Sequence, residues 1–368
     1  MNRPLRIALI ASARFPIKEP FAGGLEAHTW ALATALRRRG HHVALFAAPG
    51  SDPLLEVREL PVRTPWLSAA ARADASMTDP ASVFEHHAYL RLMLDLAHGA
   101  GNDNHHGGSR DDRPPFDLVH NNSLHYLPVA MAPAVPMPLV TTLHTPPTPW
   151  LESAIQTDPA GPLHFTAVSA HTARSWQPLV RSARVVHNGI DLRRWPAGAG
   201  GGDLVWCGRV VPEKGPHLAI AAALATGRRL TLAGPIADRA YFRDRVAPHL
   251  GGRIHYAGHL AGRELAALVG SARATLVTPC WDEPYGLVVA ESLACGTPVV
   301  GFDRGALAEI LTPDCGRLVP YPDVSALAAA VADTAALSRS ACRARAETFC
   351  SLDRMTDRYE SLYQELLP

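Results

Sequence analysis

The sequence lacks the features that mark a nucleic-acid-binding or membrane protein. Its 35 lysines and arginines nearly balance its 34 aspartates and glutamates, which gives a net charge of +1 at pH 7. Neither nucleic acid nor an anionic membrane is therefore expected as the main partner. The apolar run within MNRPLRIALIASARF is too short to span a bilayer and has no signal-peptide pattern. We expect a cytoplasmic protein with no strong membrane signal.

Cysteine and histidine are not arranged as metal ligands. The six cysteines all lie in the second half of the chain and form no Cys-x-x-Cys pair, which is typical of reduced, structural thiols. Several of the 18 histidines occur in pairs, such as His86-His87 and His120 with His125, but their spacing matches no zinc signature. We expect no metal ion.

Three common catalytic signatures are also missing. There is no G-x-G-x-x-G after the first strand, no G-x-x-x-x-G-K-[ST] and no G-x-S-x-G. These absences argue against a dinucleotide-dependent dehydrogenase, a P-loop enzyme and a serine hydrolase with a nucleophile elbow.

Apolar strands alternate with amphipathic helices along both halves of the chain. The 368 residues fit two domains, and Gly198–Gly202 (GAGGG) is the clearest linker. This alternation predicts an α/β protein with two doubly wound parallel sheets facing a cleft, whose ligands lie at the carboxyl ends of the strands. The predicted strands are Arg6–Ala11, His42–Ala47, Asp117–His120, Leu139–His144, Phe165–Val168, Arg184–His187, Leu204–Cys207, Leu230–Ala233, Ile254–Ala257, Thr275–Val277 and Pro298–Gly301, and the predicted helices are Glu26–Arg39, Val83–Ala97 and Ala341–Leu367.

Two carboxylates mark the segment 278–305, TPCWDEPYGLVVAESLACGTPVVGFDRG. The pattern predicts strand, turn, helix, turn and strand, with Glu283 at the mouth of the helix and Glu291 inside it. A carboxylate can accept two hydroxyl hydrogen bonds, so this pair suits a polyhydroxylated ligand.

A basic loop follows the first strand of the second half. Arg209 and Lys214 lie in Gly208–Gly215 (GRVVPEKG), between a strand and a helix. An arginine fork and a lysine near a helix N-terminus can clamp a diphosphate. The alternative is a solvated basic loop.

Three further features lie before the predicted linker. His144 ends the strand VTTLH, where its imidazole could donate to a substrate hydroxyl or a phosphate, although most histidines are structural. Gly23-Gly24 precedes a helix, and its amides could approach an anion. His187–Asp191 (HNGID) reads first as a tight turn at a domain boundary.

Six segments, in order along the chain, resemble those of the retaining GT-B glycosyltransferases of family 4, and the resemblance spans about residues 6–320. Tyr285 stands where the family more usually has phenylalanine, and it adds a hydroxyl that needs a partner. The segments are Gly23–Glu26, His144-Thr145, Val168-Ser169, His187–Asp191, Gly208-Arg209 with Glu213–Gly215, and Glu283–Gly286 continuing through Glu291 to Pro298.

The resemblance implies a GT-B fold of two Rossmann-like domains. An acceptor-binding domain at 1–192 would be joined by a C-terminal helix at about 345–368, and a donor-nucleotide-binding domain would span 193–344. It also implies a hexosyltransferase (EC 2.4) that moves a sugar from a UDP- or GDP-sugar to an acceptor hydroxyl with retention. The acceptor is expected to be a small molecule or saccharide, and no cofactor or metal ion is expected.

The resemblance further implies a role for each site residue. Arg209 and Lys214 would bind the diphosphate, Glu291 the ribose, and Glu283 a hydroxyl of the donor sugar. His144 would lie beside the reacting sugar. The rest of the donor site would come from Gly23, Gly24, Tyr285, Gly286 and Leu287, with nucleobase contacts from Ala257–Leu260, including Gly258.

Rival functions share the same fold. A sugar-nucleotide epimerase would convert the donor without an acceptor, and a sugar phosphorylase would need inorganic phosphate. A non-catalytic sugar-nucleotide sensor would bind and turn over nothing. The sequence assigns neither the donor base, the acceptor, the oligomeric state nor the polar insert at 101–115.

Overall fold

The structure is a computed structural model that describes residues 3–62, 66–74, 76, 80–98, 115–157 and 163–367. Residues 101–114 of the polar insert lie outside these ranges. No helix within the described ranges is both long enough and apolar enough to cross a membrane.

The first sheet has seven parallel strands in the order β3-β2-β1-β4-β5-β6-β7. β1 is an interior strand, where Ile7 pairs with Val43 of β2 on one side and with Leu118 of β4 on the other. The strands are β1 (Arg6–Ile10), β2 (His42–Ala47), β3 (Val57–Glu59), β4 (Leu118–Asn121), β5 (Leu139–Leu143), β6 (Leu163–Ala167) and β7 (Ala183–Val185).

The second sheet has six parallel strands in the order β10-β9-β8-β11-β12-β13. Its first strand in the chain, β8, lies between β9 and β11, so the order reverses there as it does at β1. The strands are β8 (Leu204–Cys207), β9 (Leu230–Ala233), β10 (Ile254–Tyr256), β11 (Ala274–Val277), β12 (Val299–Phe302) and β13 (Gly316–Val319).

Helices cover both sheets, as parallel strands require. This arrangement confirms the predicted pair of doubly wound parallel sheets. The helices are α1 (Gly24–Arg38), α2 (Ala69–Ala73), α3 (Pro80–Ala97), α4 (Leu127–Ala130), α5 (Pro149–Thr157), α6 (Ala170–Trp176), α7 (Pro216–Ala225), α8 (Arg239–Tyr241), α9 (Gly262–Ser271), α10 (Leu287–Ala294), α11 (Leu307–Ile310), α12 (Val324–Asp333), α13 (Arg339–Phe349) and α14 (Leu352–Leu366).

The helix predicted over Ala341–Leu367 is in fact two helices that pack on different domains. α13 packs against α10 of the second domain, whereas α14 packs against α1 of the first. The break lies at Cys350-Ser351, where the Ser351 hydroxyl accepts a hydrogen bond from the Arg354 amide, as an N-cap residue does. Uniform apolar spacing across the break hid this cap from the sequence prediction.

Helix α14 completes the core of the first domain. Tyr359 and Tyr363 are fully buried there, and the Tyr363 hydroxyl lies 2.6 Å from Nδ1 of His120 on β4. The chain therefore passes between the domains twice, once through the linker after β7 and once at Ser351.

Candidate active site

A cavity of about 730 Å³ lies between the two sheets and is lined from both domains. It brings together residues that are far apart in the chain. Ten of the predicted site residues line it: Gly23, Gly24, His144, Arg209, Lys214, Glu283, Tyr285, Gly286, Leu287 and Glu291.

Gly258 is the exception, because it does not line the cavity. Its carbonyl accepts a hydrogen bond from the Gly234 amide, and its φ of 86° turns the chain so that the next residues face the cavity instead. His259 and Leu260 line the wall at this point. The Nε2 of His259 also lies 3.0 Å from the carbonyl of Phe21, which joins the two domains across the cavity.

Lys214 and Glu283 form an ion pair at the cavity wall. Lys214 Nζ donates to Glu283 Oε2 at 2.6 Å, and both side chains are largely buried, with relative exposures of 22% and 15%. Trp281 Nε1 donates to the same oxygen at 3.2 Å, and the Lys214 ammonium lies 5.1 Å from the Trp281 ring centroid. Trp281 thus holds both charged groups, a role that the sequence analysis missed.

The loop that carries Lys214 is fixed from β11. Thr278 Oγ1 accepts from Trp206 Nε1 at 3.1 Å and donates to the Gly215 carbonyl at 2.8 Å. Gly215 has a φ of 63°, and a Cβ there would overlap the carbonyl of Thr278. Glycine is therefore required at this point, because the left-handed backbone and the crowding both exclude a side chain.

Glu291 presents its carboxylate to the cavity from α10, which begins after Gly286 in a left-handed conformation with φ 103°. Within the described residues no group donates a hydrogen bond to this carboxylate. Burial raises the pKa of Glu291 to about 7, because desolvation disfavours the charged form.

The two domains meet at Gly24 and Leu287. A Cβ on Gly24 would lie 3.2 Å from Cδ1 of Leu287, so these two predicted donor-site residues are in contact across the cavity. Two residues further along α1, Glu26 is buried, and burial raises its pKa against the opposing effect of its own backbone amide and of Arg209.

His144 is held as a neutral imidazole. Its Nε2 lies 2.8 Å from Asn122 Oδ1, and its ring lies 4.9 Å from that of His28 on α1. Burial, with His28 and His120 nearby, lowers its pKa well below the usual value. His28 is 1% exposed, and neither of its ring nitrogens has a hydrogen-bond partner within the described residues. His28 could not be recognised from the sequence because it lies inside an ordinary amphipathic helix.

His187–Asp191 does not form the expected tight turn. Residues 187–190 after β7 contain no turn, and a Cβ on Gly189 would lie 2.7 Å from the backbone of Ser351 and Leu352. Ile190 also forms two backbone hydrogen bonds with the segment between α13 and α14. Its carbonyl accepts one from the Leu352 amide, and its own amide donates one to the Cys350 carbonyl. The glycine is thus needed for close backbone packing rather than for a turn.

Glu309 on α11 joins the domains behind the cavity. Its carboxylate accepts hydrogen bonds from the amides of Ala170 and His171, at 2.9 and 2.7 Å, at the start of α6. It also pairs with His187 Nε2 at 2.9 Å. No signal near Glu309 in the sequence could have revealed these contacts, because the partners lie more than 100 residues away.

The buried hydroxyl of Tyr285 has no hydrogen-bond partner within the described ranges, and burial raises its pKa well above the usual value. Across the same part of the chain, no group of three or more His, Cys, Asp or Glu side chains is placed to share a metal ion.

Comparison with known proteins identifies the family. A sequence profile described as Glycosyltransferase Family 4 matches residues 22–194, and one described as Glycosyl transferases group 1 matches residues 201–336. The chain belongs to glycosyltransferase family 4. The enzyme is 29% identical to a glycogen synthase of Mycobacterium tuberculosis, covering 91% of this chain and 88% of the relative.

Other relatives agree with this assignment. A phosphatidyl-myo-inositol mannosyltransferase of Mycolicibacterium smegmatis is 25% identical over 89% of this chain and 84% of its own. The solved structure of AviGT4, a glycosyltransferase involved in avilamycin A biosynthesis, matches with a TM-score of 0.70 and 25% identity, covering 99% of this enzyme and 98% of AviGT4. The enzyme is thus a hexosyltransferase-type glycosyltransferase (EC 2.4) with the GT-B fold.

Proposed function

We propose that this glycosyltransferase transfers a sugar from a nucleoside-diphosphate sugar to an acceptor hydroxyl with retention of anomeric configuration. The observation that carries the proposal is the joint presence of two cations, Arg209 and Lys214, and two carboxylates, Glu283 and Glu291, on one cavity wall. The Gly24 backbone faces them from the other domain. Such a set matches a ligand that combines a diphosphate with two hydroxylated rings.

In this proposal each group takes one part of the donor. Arg209 and Lys214 bind the diphosphate, Glu291 accepts the ribose hydroxyls and Glu283 accepts a hydroxyl of the transferred sugar. The nucleobase lies against His259 and Leu260. A UDP-sugar is favoured because HepE of Anabaena, which has a TM-score of 0.75 and 17% identity over 98% of this chain and 100% of its own, was solved with UDP and glucose.

The chemical step needs no protein base. The acceptor oxygen forms a bond to the anomeric carbon on the face from which the diphosphate leaves, and the bond from that carbon to the phosphate oxygen breaks. The departing phosphate takes the acceptor proton, while Arg209, Lys214 and the Gly24 amide stabilise its developing charge. His144, held neutral, is a hydrogen-bonding group beside the transferred sugar rather than a titrating acid.

The alternatives are less well supported. The named relatives are synthases and transferases, which favours transfer over epimerisation or simple binding. We also propose that transfer needs no metal ion and that the enzyme is cytoplasmic. Activity that persists in a chelator such as EDTA would support the first.

The experiment begins with a thermal-shift panel of UDP-, GDP- and ADP-sugars, in which a tight donor raises the melting temperature by mass action. The donor that binds is then incubated with acceptor alcohols, and NMR of the product gives its anomeric configuration. Retention supports the proposal. Inversion, conversion of the donor without an acceptor, or binding without turnover would each contradict it.

A further inference from the structure

Aromatic side chains form part of the first-domain lining of the cavity. His125 and Trp150 line the cavity here, and Trp150 is 56% exposed. Tyr89 and Tyr126 lie behind His125, with ring centroids 4.3 and 4.8 Å from it and interplanar angles of 21° in both cases. We call these four residues the aromatic platform.

The platform is rigid. The Tyr126 ring centroid lies 4.9 Å from that of Trp150, and the Tyr126 hydroxyl lies 2.7 Å from Nδ1 of His86. Trp150 lies near the start of α5, six residues after His144. The segment between them is held by a hydrogen bond from Trp176 Nε1 to the Thr145 carbonyl at 2.7 Å. His125 and Trp150 therefore line the same cavity as His144, which is predicted to lie beside the transferred sugar.

Polar groups interrupt the aromatic surface. The Leu127 amide donates to His125 Nδ1 at 3.2 Å, and burial, with His86 nearby, lowers the pKa of His125 to about 4. The neutral ring thus carries its proton on Nε2, where it has no hydrogen-bond partner within the described residues. Glu85 and Arg14 also line the cavity, and the charges of both act on the Tyr89 hydroxyl of the platform.

We propose that the aromatic platform, with Glu85 and Arg14, is the acceptor subsite and that its ligand is a saccharide. An aromatic face stacks on the C–H face of a pyranose ring, while the imidazole N–H, a carboxylate and a guanidinium bond its hydroxyls. An acyl chain would desolvate Glu85 and Arg14 without giving them a partner, which is costly. The proposal rests on the proposed function, since it names the acceptor of that reaction.

The test measures direct binding of saccharides by saturation-transfer NMR and titration calorimetry in the absence of nucleotide. The probes are methyl α-glucoside, methyl α-mannoside, maltose and maltotriose, with decanol and phosphatidylglycerol vesicles as lipid-like rivals. At least one saccharide should bind. Trp150→Ala should weaken its binding by roughly tenfold or more, whereas Trp150→Phe should stay within roughly threefold of wild type.

The matched control is Trp66→Ala, because Trp66 is 84% exposed and is not a cavity-lining residue. This change should leave saccharide binding unaltered. Wild-type binding by Trp150→Ala, or binding of decanol or vesicles with no saccharide bound, would overturn the proposal. UDP affinity, measured on the same variants, should not change. Failure of the wild type to bind any nucleotide sugar would count against the proposed function alone, because the saccharide titration is read without nucleotide.

Discussion

Lys214 and Glu283 neutralise each other at the cavity wall, with Nζ 2.6 Å from Oε2. The family resemblance implies different parts of the donor for the two groups, the diphosphate for the lysine and the sugar for the glutamate. In the proposed function, their contact places these two parts of the donor next to each other. An ammonium group has three N–H donors, so Lys214 can keep Glu283 in place while it bonds a phosphate oxygen.

Replacing Lys214 should therefore remove charge stabilisation from the reaction. We expect Lys214→Met to lower kcat/KM for transfer by about 100-fold or more, the usual effect of losing one such group. Lys18 provides the control, because it is the only other lysine in the sequence and is exposed. Lys18→Met should retain wild-type kinetics, and circular dichroism should show both variants folded. A less than fivefold loss of kcat/KM for Lys214→Met would show that the lysine does not stabilise the transition state.

Donor affinity should rise with pH between about 6 and 8, because Glu291 has a pKa of about 7 and only the ionised carboxylate accepts two ribose hydroxyls. Calorimetric titration of UDP at several pH values measures this dependence. Glu291→Gln should bind UDP weakly and with a flatter pH profile. A pH profile in the variant as steep as that of wild type would show that another group titrates.

Ionisation of Glu291 should favour donor binding but lower the stability of the fold. Its folded-state pKa is raised from 4.5, so the unfolded chain binds fewer protons between pH 4.5 and 7, and stability falls as pH rises through this range. Glu291→Gln removes the buried charge. It should therefore stabilise the protein more at pH 8 than at pH 5 in urea denaturation, the reverse of its effect on binding.

Two glycines with left-handed backbone conformations allow the cost of backbone strain to be measured separately from the cost of crowding. Gly227 has a φ of 65° and nothing within 4 Å of where a Cβ would lie, whereas Gly215, with φ 63°, faces the Thr278 carbonyl. Gly227→Ala should cost about 1 kcal/mol from backbone strain alone. Gly215→Ala should cost about 2 kcal/mol more and should also impair transfer, because the loop with Lys214 must move. If urea denaturation gave the same loss of stability for both variants, the crowding at Gly215 would be shown to relax at no cost in free energy.

Glu309 should contribute to stability by joining the domains. Hydrogen bonds from His187 and from the amides of Ala170 and His171 outweigh the effect of burial and lower its pKa. Glu309→Gln should cost about 1.5–3 kcal/mol at pH 7, the range for hydrogen bonds to a charged group. Because the pKa of Glu309 is lowered in the folded protein, this contribution to stability is present above pH 4.5. It is lost as the pH falls through the pKa of the folded state.

The control for Glu309 is Glu347→Gln, since Glu347 is half exposed and, among the described residues, forms an ion pair with Arg343 alone, on its own helix. It should change stability by about 0.5 kcal/mol or less. An equally small effect of Glu309→Gln would show that the interdomain contact is energetically neutral.

Strands buried on both faces could be predicted from the sequence because their apolar runs are continuous. His42–Ala47, Leu204–Cys207 and Leu230–Ala233 have the predicted bounds. The edge strands β3 (VRE) and β13 (GRLV) were missed because both are short and partly exposed and their residues are not uniformly apolar. The site motifs were visible because glycines and charges interrupt those runs at strand ends. Contacts such as Glu309 with α6, or Trp281 with Lys214, depend on how distant segments pack, and no local pattern encodes them.

Helix α14 imposes an order on biosynthesis. A ribosome makes the first sheet, then the whole second domain, and only afterwards the helix that supplies Tyr359 and Tyr363 to the first core. Domains usually fold as they emerge, the N-terminal one first. Here the nascent first domain must wait, with the α1 face of its core uncovered, until the second domain has been translated.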